Sequence, residues 1–158
     1  MTDSAMTGRA GRVPLAAAVP AGLVRVALGV LWLIEGVVKY RAGFGRADIL
    51  IIVDGARSNP RVPDAFRVFA DGVLGRLPDL FGVAVPLLET ALGLALIVGL
   101  WSRITALVAL GTLTFYWSSD QLIVQYPVML GLAALVLACP AAADRLSVTR
   151  LLHRPRPR

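Results

Sequence analysis

Three ionisable residues lie inside apolar runs of this sequence, and each needs a physical reason to be there. Placing one charge at the centre of a lipid-embedded helix costs ~2.5–3.5 kcal/mol on insertion scales. Glu89 stands in mid-run, with Val83 to Leu88 before it and Leu92 to Leu100 after it. A carboxyl so placed is protonated, paired or turned toward a polar cavity, and each state suits a proton-handling group. The structural alternative is a neutral side chain hydrogen-bonded to a neighbouring helix. Glu35 lies four residues before Lys39, a spacing at which two side chains meet on a helix surface. The pair is either a helix-end anchor, or a site in which Glu35 handles protons and Lys39 holds a ligand. Arg25 is either a snorkelling side chain that sets orientation or an interior one.

The element carrying three of these residues has two unlike faces. At 100° per residue, Gly22, Arg25, Gly29, Trp32, Glu35, Gly36 and Lys39 share one arc of roughly 140°. Leu23, Ala27, Val30, Ile34 and Val37 fall on the other side. In lipid the small, polar face is expected to turn toward other helices, where backbones approach closely and polar groups find partners. The second run repeats the idea, with Ala91, Ala95 and Gly99 in one small-residue row and Glu89 and Gly93 in the neighbouring one.

Composition agrees with a membrane setting. Of 158 residues, 57% are hydrophobic and 16% charged, against roughly 45–50% and about 25% in soluble domains. Mean hydropathy is +0.73, which excludes disorder over most of the chain and a water-facing globule. One cysteine and one histidine cannot build an internal disulfide or a Cys-rich metal site, so neither a metal nor a covalently bound cofactor is expected. The net charge of +6 could suggest nucleic acid. The charges instead gather at the flanks of apolar runs, so the expected partner is the lipid bilayer and no nucleic acid. There is no phosphate-binding glycine loop and no GxSxG.

The expected fold is all-α: a four-helix transmembrane bundle with an amphipathic helical segment in its first extracytoplasmic loop. Helices are expected near 19–38, 80–100, 104–120 and 122–143, within a membrane domain spanning 19–143. An N-terminal tail (1–18) precedes it and a basic tail (144–158) follows. Arg25, Glu35 and Lys39 do not suit a cleavable signal, so the first run is read as a retained helix. The turns at Trp101–Arg103 and Ser118–Gln121 are short enough to make neighbouring helices antiparallel. If both termini share a side, that side holds Arg9, Arg12, Arg103, Arg145, Arg150, Arg154, Arg156 and Arg158. The opposite side holds Lys39, Arg41, Arg46, Arg57, Arg61, Arg67 and Arg76. That small excess, with a turn at 118–121 that lacks basic residues, places both termini in the cytoplasm of a multi-pass cell-membrane protein.

In the loop 39–79, Asp48 to Val53 is an apolar stretch and Ser58-Asn59-Pro60 marks a turn. Phe66, Phe69, Val73 and Leu77 then recur at helical steps. This segment either lies along the outer interface or folds over the bundle mouth, as a plain cover or as a lid. Tyr116, Trp117, Asp120, Gln125 and Tyr126 form either an aromatic belt with a polar turn, or a polar mouth shared with Glu35 and Lys39. Such a mouth could hold a quinone ring by hydrogen bonds, with Lys39, Arg25, Trp32, Tyr126 and Asp120 as ligand-binding candidates. Pro127 falls just inside the fourth helix. Cys139, beside Pro140, reads as a buried inert thiol.

The run from Arg25 through Gly29, Glu35 and Gly36 to Lys39 resembles the first helix of the DoxX/DoxD-like membrane proteins. Leu88-Glu89 through Gly93 and Gly99 to Arg103 is similar to that family's glutamate, glycines and Arg-bearing turn. Asp144 to Ser147 is similar to its polar close, although Cys139-Pro140 and three alanines replace the Gly-rich approach. The resemblance covers Arg25 to Lys39 and Pro86 to Leu146 and leaves the long loop unmatched. It implies a four-helix inner-membrane protein, in some members the small membrane subunit of a thiosulfate:quinone oxidoreductase, with Arg25, Glu35, Lys39, Glu89 and Arg103 as the positions that matter. Three functions follow as expectations: a quinone-facing subunit of an oxidoreductase complex, a non-catalytic scaffold for a soluble partner, and a small-solute or proton transport protein. A soluble or membrane oxidoreductase, and a second copy of this chain, are the candidate protein partners.

Overall fold

The computed structural model describes residues 14–145 and 147–149. Among these, every regular element is helical. In chain order they are α1 (Leu15–Ala42), α2 (Arg46–Ser58), α3 (Asp64–Phe69), a π-helical turn (Ala70–Leu74), α4 (Pro78–Val98), α5 (Ser102–Ser118), α6 (Gln125–Ala138) and α7 (Pro140–Ala143). The basic tail beyond Thr149, with Arg9 and Arg12, lies outside the described residues.

Helices α1, α4, α5 and α6 share one core. It is built from Leu28 and Trp32, Leu92 and Leu96, Ala109 and Leu113, and Met129 and Ala133. The two faces of α1 separate as the sequence demands. Gly22, Arg25, Gly29, Trp32, Glu35 and Gly36 are buried, while Leu23, Ala27, Val30, Ile34 and Val37 are exposed. Two helices, α1 and α4, are long and apolar enough to cross a membrane. Helix α5, at 17 residues, is about 26 Å long, and α6, at 14, about 21 Å, against a hydrocarbon core of ~30 Å.

Helices α1 and α4 touch most closely at glycines. A Cβ at Gly93 would stand 2.7 Å from the Leu33 backbone nitrogen, and one at Gly29 would stand 2.8 Å from the Gly93 carbonyl oxygen. The row that meets α1 therefore contains Pro86, Glu89, Gly93 and Leu96, all buried, while Gly82 packs against the backbone of Gly45 and Arg46 at the start of α2. In the other row Ala91 is exposed and Ala95 half-buried, and Gly99, just past the helix, meets α1 at Arg25. Both rows are small, and the one bearing Glu89 turns inward because a carboxyl has partners only there.

The first helix runs four residues past its expected end, so Lys39 sits within it. Gly43, at φ 70°, then stops it, with the Phe44 amide donating to the Lys39 carbonyl. The fourth expected span is broken. Pro140 has no N–H and restricts Cys139, whose φ of −128° and ψ of 54° leave the helical region. Cys139 is exposed there, not buried. Pro127 occupies the first turn of α6, where its missing donor costs little.

The segment between α1 and α4 is not a loose loop but a small helical cap. Ile49, Val53, Ala56, Val62, Phe66, Ala70 and Leu74 form its own core. The apolar stretch Asp48 to Val53 is part of α2. The expected face of Phe66, Phe69, Val73 and Leu77 is only half right: Phe66 is buried, but Leu74 is buried in place of Leu77, which is 48% exposed. The cause is the π turn, whose wider winding keeps Phe66, Ala70 and Leu74 in line. Of the two expected placements, this segment takes the one over the end of the helix core. Phe69 meets Phe81 of α4 edge-on at 6.3 Å, and Phe66 and Phe69 each meet Phe115 of α5 at 5.0 Å.

The glycine crossing gives the first test. Gly93→Val should destabilise the fold by about 3 kcal/mol through overpacking. Gly111→Ala, where a Cβ meets no atom within 4 Å, should be neutral or slightly stabilising. Thermal unfolding in detergent measures both.

Candidate functional site

One string of polar side chains joins all four long helices. The Lys39 Nζ donates to Glu35 Oε2 at 3.0 Å and to Glu89 Oε1 at 2.8 Å. The Tyr116 hydroxyl donates to the same Glu89 oxygen at 2.6 Å. The Gln125 amide donates to Glu35 Oε1. Glu89 is fully buried, Glu35 is 7% exposed and Tyr116 6%. The five partners come from four helices: Glu35 and Lys39 from α1, Glu89 from α4, Tyr116 from α5 and Gln125 from α6.

Helix periodicity explains this convergence. Glu35 and Lys39 occupy adjacent turns of the buried α1 face. Pro86 and Gly82, one and two turns before Glu89, are the small buried neighbours that let α4 approach. On α5, Ser102, Thr105, Ala109, Leu113 and Tyr116 form the inward stripe, and Tyr116 is its last member. Around the string the aromatic rings close in. Tyr116 stacks on Tyr126 at 5.5 Å and lies 6.4 Å from Trp32, and the Lys39 ammonium lies 5.5 Å from the Tyr116 ring centre.

Two carboxylates share one ammonium here, so one negative charge among the three is left uncompensated when all are ionised. Glu89 Oε2 and Trp32 Nε1 are buried and have no hydrogen-bond partner among the described residues. Buried polar atoms are normally satisfied, so these two mark a place where a proton, water or ligand belongs.

A cavity of about 450 Å³ lies between the cap and helices α4 and α5. Its walls are almost wholly apolar, with Phe44, Ile52, Phe66 and Phe81 among them. Lys39 and Tyr116 stand in one wall, and Ser119 and Gln121 line its rim. The volume falls within the ~300–1,000 Å³ range of small-molecule pockets, and the pattern of apolar walls with a few convergent polar groups is theirs as well. Glu89 lies one hydrogen bond behind the wall, in contact with both polar groups that face the space.

The structure thus brings Glu35, Lys39, Glu89, Trp32 and Tyr126 together and leaves Arg25 and Asp120 apart. Arg25 lies some 20 Å along α1 from Lys39, at 1.5 Å per residue. It is 2% exposed, so it does not snorkel, and its guanidinium donates to the carbonyls of Leu96 and Ile97 in the last turn of α4. Asp120 sits in the turn after α5 at φ 60°, where Asn59 donates to it at 2.6 Å and Arg61 at 2.5 Å. It ties that turn to the cap. Arg103 follows the turn between α4 and α5, far from the string. Two further members, Tyr116 and Gln125, are residues that the sequence left open as part of either an aromatic belt with a polar turn or a polar mouth shared with Glu35 and Lys39. The spacing of small residues upstream of Tyr116 was the available signal, because it marks which face of α5 points inward.

The DoxX family model matches residues 21–124. The chain belongs to the DoxX family. The matched range includes the cap, the part in which no likeness was evident, and it ends just before α6. The family is membrane-associated, in keeping with two helices of spanning length and an apolar bilayer as their surroundings. No curated protein and no solved structure matches the chain. Among the described residues no group of His, Cys, Asp and Glu could hold a metal ion.

Two outcomes follow from this geometry. Lys39→Met leaves two buried carboxylates facing each other and should cost about 3–5 kcal/mol, whereas Lys39→Met combined with Glu89→Gln should recover much of the loss. Unfolding of the single and double variants in detergent measures the coupling. At the capped end, hydrogen bonds from Arg61 and Asn59 hold the Asp120 carboxyl below the usual aspartate range. Its contribution is complete above the ordinary value of 3.8 and is lost as pH falls below it. The stability difference between wild type and Asp120→Asn should be flat at neutral pH and shrink only below that value.

Proposed function

We propose that the four long helices of this DoxX protein cross the cell membrane as a bundle, with both termini in the cytoplasm. In this reading the chain is the quinone-facing membrane subunit, or membrane anchor, of an oxidoreductase complex. The observation that carries the reading is the 450 Å³ apolar cavity whose wall presents the Lys39 ammonium and the Tyr116 hydroxyl, both bonded to Glu89. These groups fit a quinone head: apolar walls for the ring, and the Lys39 ammonium, with one N–H beyond its two carboxylate bonds, as donor to a carbonyl oxygen. A bound quinone supplies the acceptor for two electrons and two protons, and the oxidoreductase partner supplies the electrons.

The chain's own residues have separable tasks. Lys39 Nζ donates to the acceptor oxygen, and the Tyr116 hydroxyl, donating to Glu89, holds that carboxylate against Lys39. Glu89 Oε1 fixes both donors, and its second oxygen holds or releases a proton. Glu35, linked through Lys39, is the second carboxyl of the relay, and Gln125 keeps it in place. Trp32 and Tyr126 brace Tyr116 from behind. Arg25 and Asp120 act as positioning residues at the two ends. The cap excludes water from the cavity, so the donors act at low dielectric.

The uncompensated charge of the Glu35–Lys39–Glu89 group favours a second reading, a proton or small-solute conduit, in which proton flux would be lost on Glu89→Gln without any ligand. Titrating the protein in lipid nanodiscs with decylubiquinone, read by tryptophan fluorescence quenching, separates the two. Saturable binding, weakened at least tenfold by Tyr116→Phe and by Glu89→Gln, is the expected result. Quenching that never saturates, or is indifferent to both substitutions, removes the quinone reading.

A further inference from the structure

We infer that the cavity takes its ligand sideways from the bilayer, between α4 and α5, and that Gly111 is the residue that lets an alkyl or isoprenoid tail pass. The inference rests on the quinone reading above and extends the members of that class that the site admits to those with a long tail.

The opening is visible in the lining of the cavity. Leu88 of α4 and Val108, Gly111 and Thr112 of α5 all line it. Three of them also face outward: Leu88 is 40% exposed, Val108 is 44% exposed, and Gly111 is exposed. A residue that both lines a cavity and reaches the surface stands at its mouth. The depth of this mouth is set by the helices. Leu88 lies at the middle of α4 (Pro78–Val98) and Gly111 at the middle of α5 (Ser102–Ser118). If both helices cross the membrane, the mouth faces hydrocarbon, not the water on either side.

The packing around this mouth differs from that at the α1–α4 crossing; Gly131 of α6 is also exposed with no atom within 4 Å of a Cβ, but of the two only Gly111 lines the cavity. Where α1 meets α4, glycines bring backbones into contact, and a Cβ at Gly29 or Gly93 would collide within 3 Å. At Gly111 a Cβ would meet no atom within 4 Å. A glycine in mid-helix is less favourable than alanine by roughly 0.5–1 kcal/mol, and close packing is its usual compensation. Gly111 has no such contact. What its missing side chain leaves is open space at the cavity mouth.

The polar end of the cavity lies inward from this mouth, at Lys39 and Tyr116. A ligand with its head at Lys39 therefore points its other end toward Leu88 and Gly111. A cavity of about 450 Å³ holds a ring and a short chain, so a long tail must leave it, and the lipid-facing mouth is where it can do so without exposing hydrocarbon to water.

The experiment compares a tailed and a tailless probe, decylubiquinone and duroquinone, on the full chain in nanodiscs. Gly111→Phe should weaken decylubiquinone binding at least tenfold and leave duroquinone binding within twofold of wild type. Val108→Trp narrows the same mouth from one turn away and should act in the same sense. Both variants should keep the wild-type melting temperature, because the added groups enter open space. Tailed binding that survives both substitutions, or equal weakening of the two probes, overturns the lateral mouth while leaving the quinone site in place, provided that Tyr116→Phe still weakens both probes. Failure of decylubiquinone alone to bind wild type overturns the mouth, and failure of both probes overturns the quinone reading and the mouth together.

Discussion

The ammonium of Lys39, shared between Glu35 and Glu89, is the contact on which the rest of the arrangement depends. It fixes the rotation of α1, because the face carrying Glu35 and Lys39 must turn inward. It fixes the register of α4, because Glu89 must reach the same point. Tyr116 and Gln125 extend the bonding to α5 and α6. In lipid, apolar helices gain little by associating through hydrophobic burial, since the tails are as apolar as their side chains. A buried hydrogen-bonded ion group behaves differently. It is costly if any partner is missing and it specifies one arrangement when all are present. The glycine crossing at Gly29 and Gly93 supplies the close approach, and the polar string selects which close approach is made.

This division explains what could be read from the sequence. The inward face of α1 was legible residue by residue, because polar and small residues alternate there with an aliphatic face at helical period. Glu89 was legible for the same reason. The choice between the two small-residue rows of α4 was not, since a small residue permits contact without requiring it. Tyr116 and Gln125 were hidden because aromatic and amide residues near helix ends also serve as interfacial anchors. Only the three-dimensional meeting with Glu89 and Glu35 tells the two roles apart. The cap was half legible. Its apolar periodicity announced helices, but the π turn at Ala70–Leu74 puts Ala70 and Leu74 inward in place of Phe69, Val73 and Leu77, and steps of three and four fit either line.

The cap and the four long helices have separate cores that meet through aromatic edges and surface ion pairs. Arg46 reaches Asp79 at the start of α4, and Arg61 reaches Asp120 after α5. These exposed pairs hold the cap laterally but add little stability each. Such a construction leaves space beneath the cap, because two independently packed layers of unlike shape do not interdigitate fully. The cavity lies in that seam, and the polar string reaches it only at Lys39 and Tyr116.

The two buried cations of α1 show why only one end of the molecule can do chemistry. Arg25 donates to carbonyl oxygens at the C-terminal end of α4, where four carbonyls lack helical partners and the helix dipole is negative, and it lies within Coulombic reach of the Asp144 carboxylate. Those acceptors carry no proton and cannot change charge, and a guanidinium does not lose its proton in a protein. The contact is therefore fixed under all physiological conditions and serves as a cap on α4. Lys39 is satisfied by carboxylates, whose charge depends on a proton, and its own flexible stem lets it follow whichever partner is ionised. The Arg25 end is thus a permanent joint. The Lys39 end is a group of exchangeable partners beside a cavity, and the proposed proton handling is placed there for that reason.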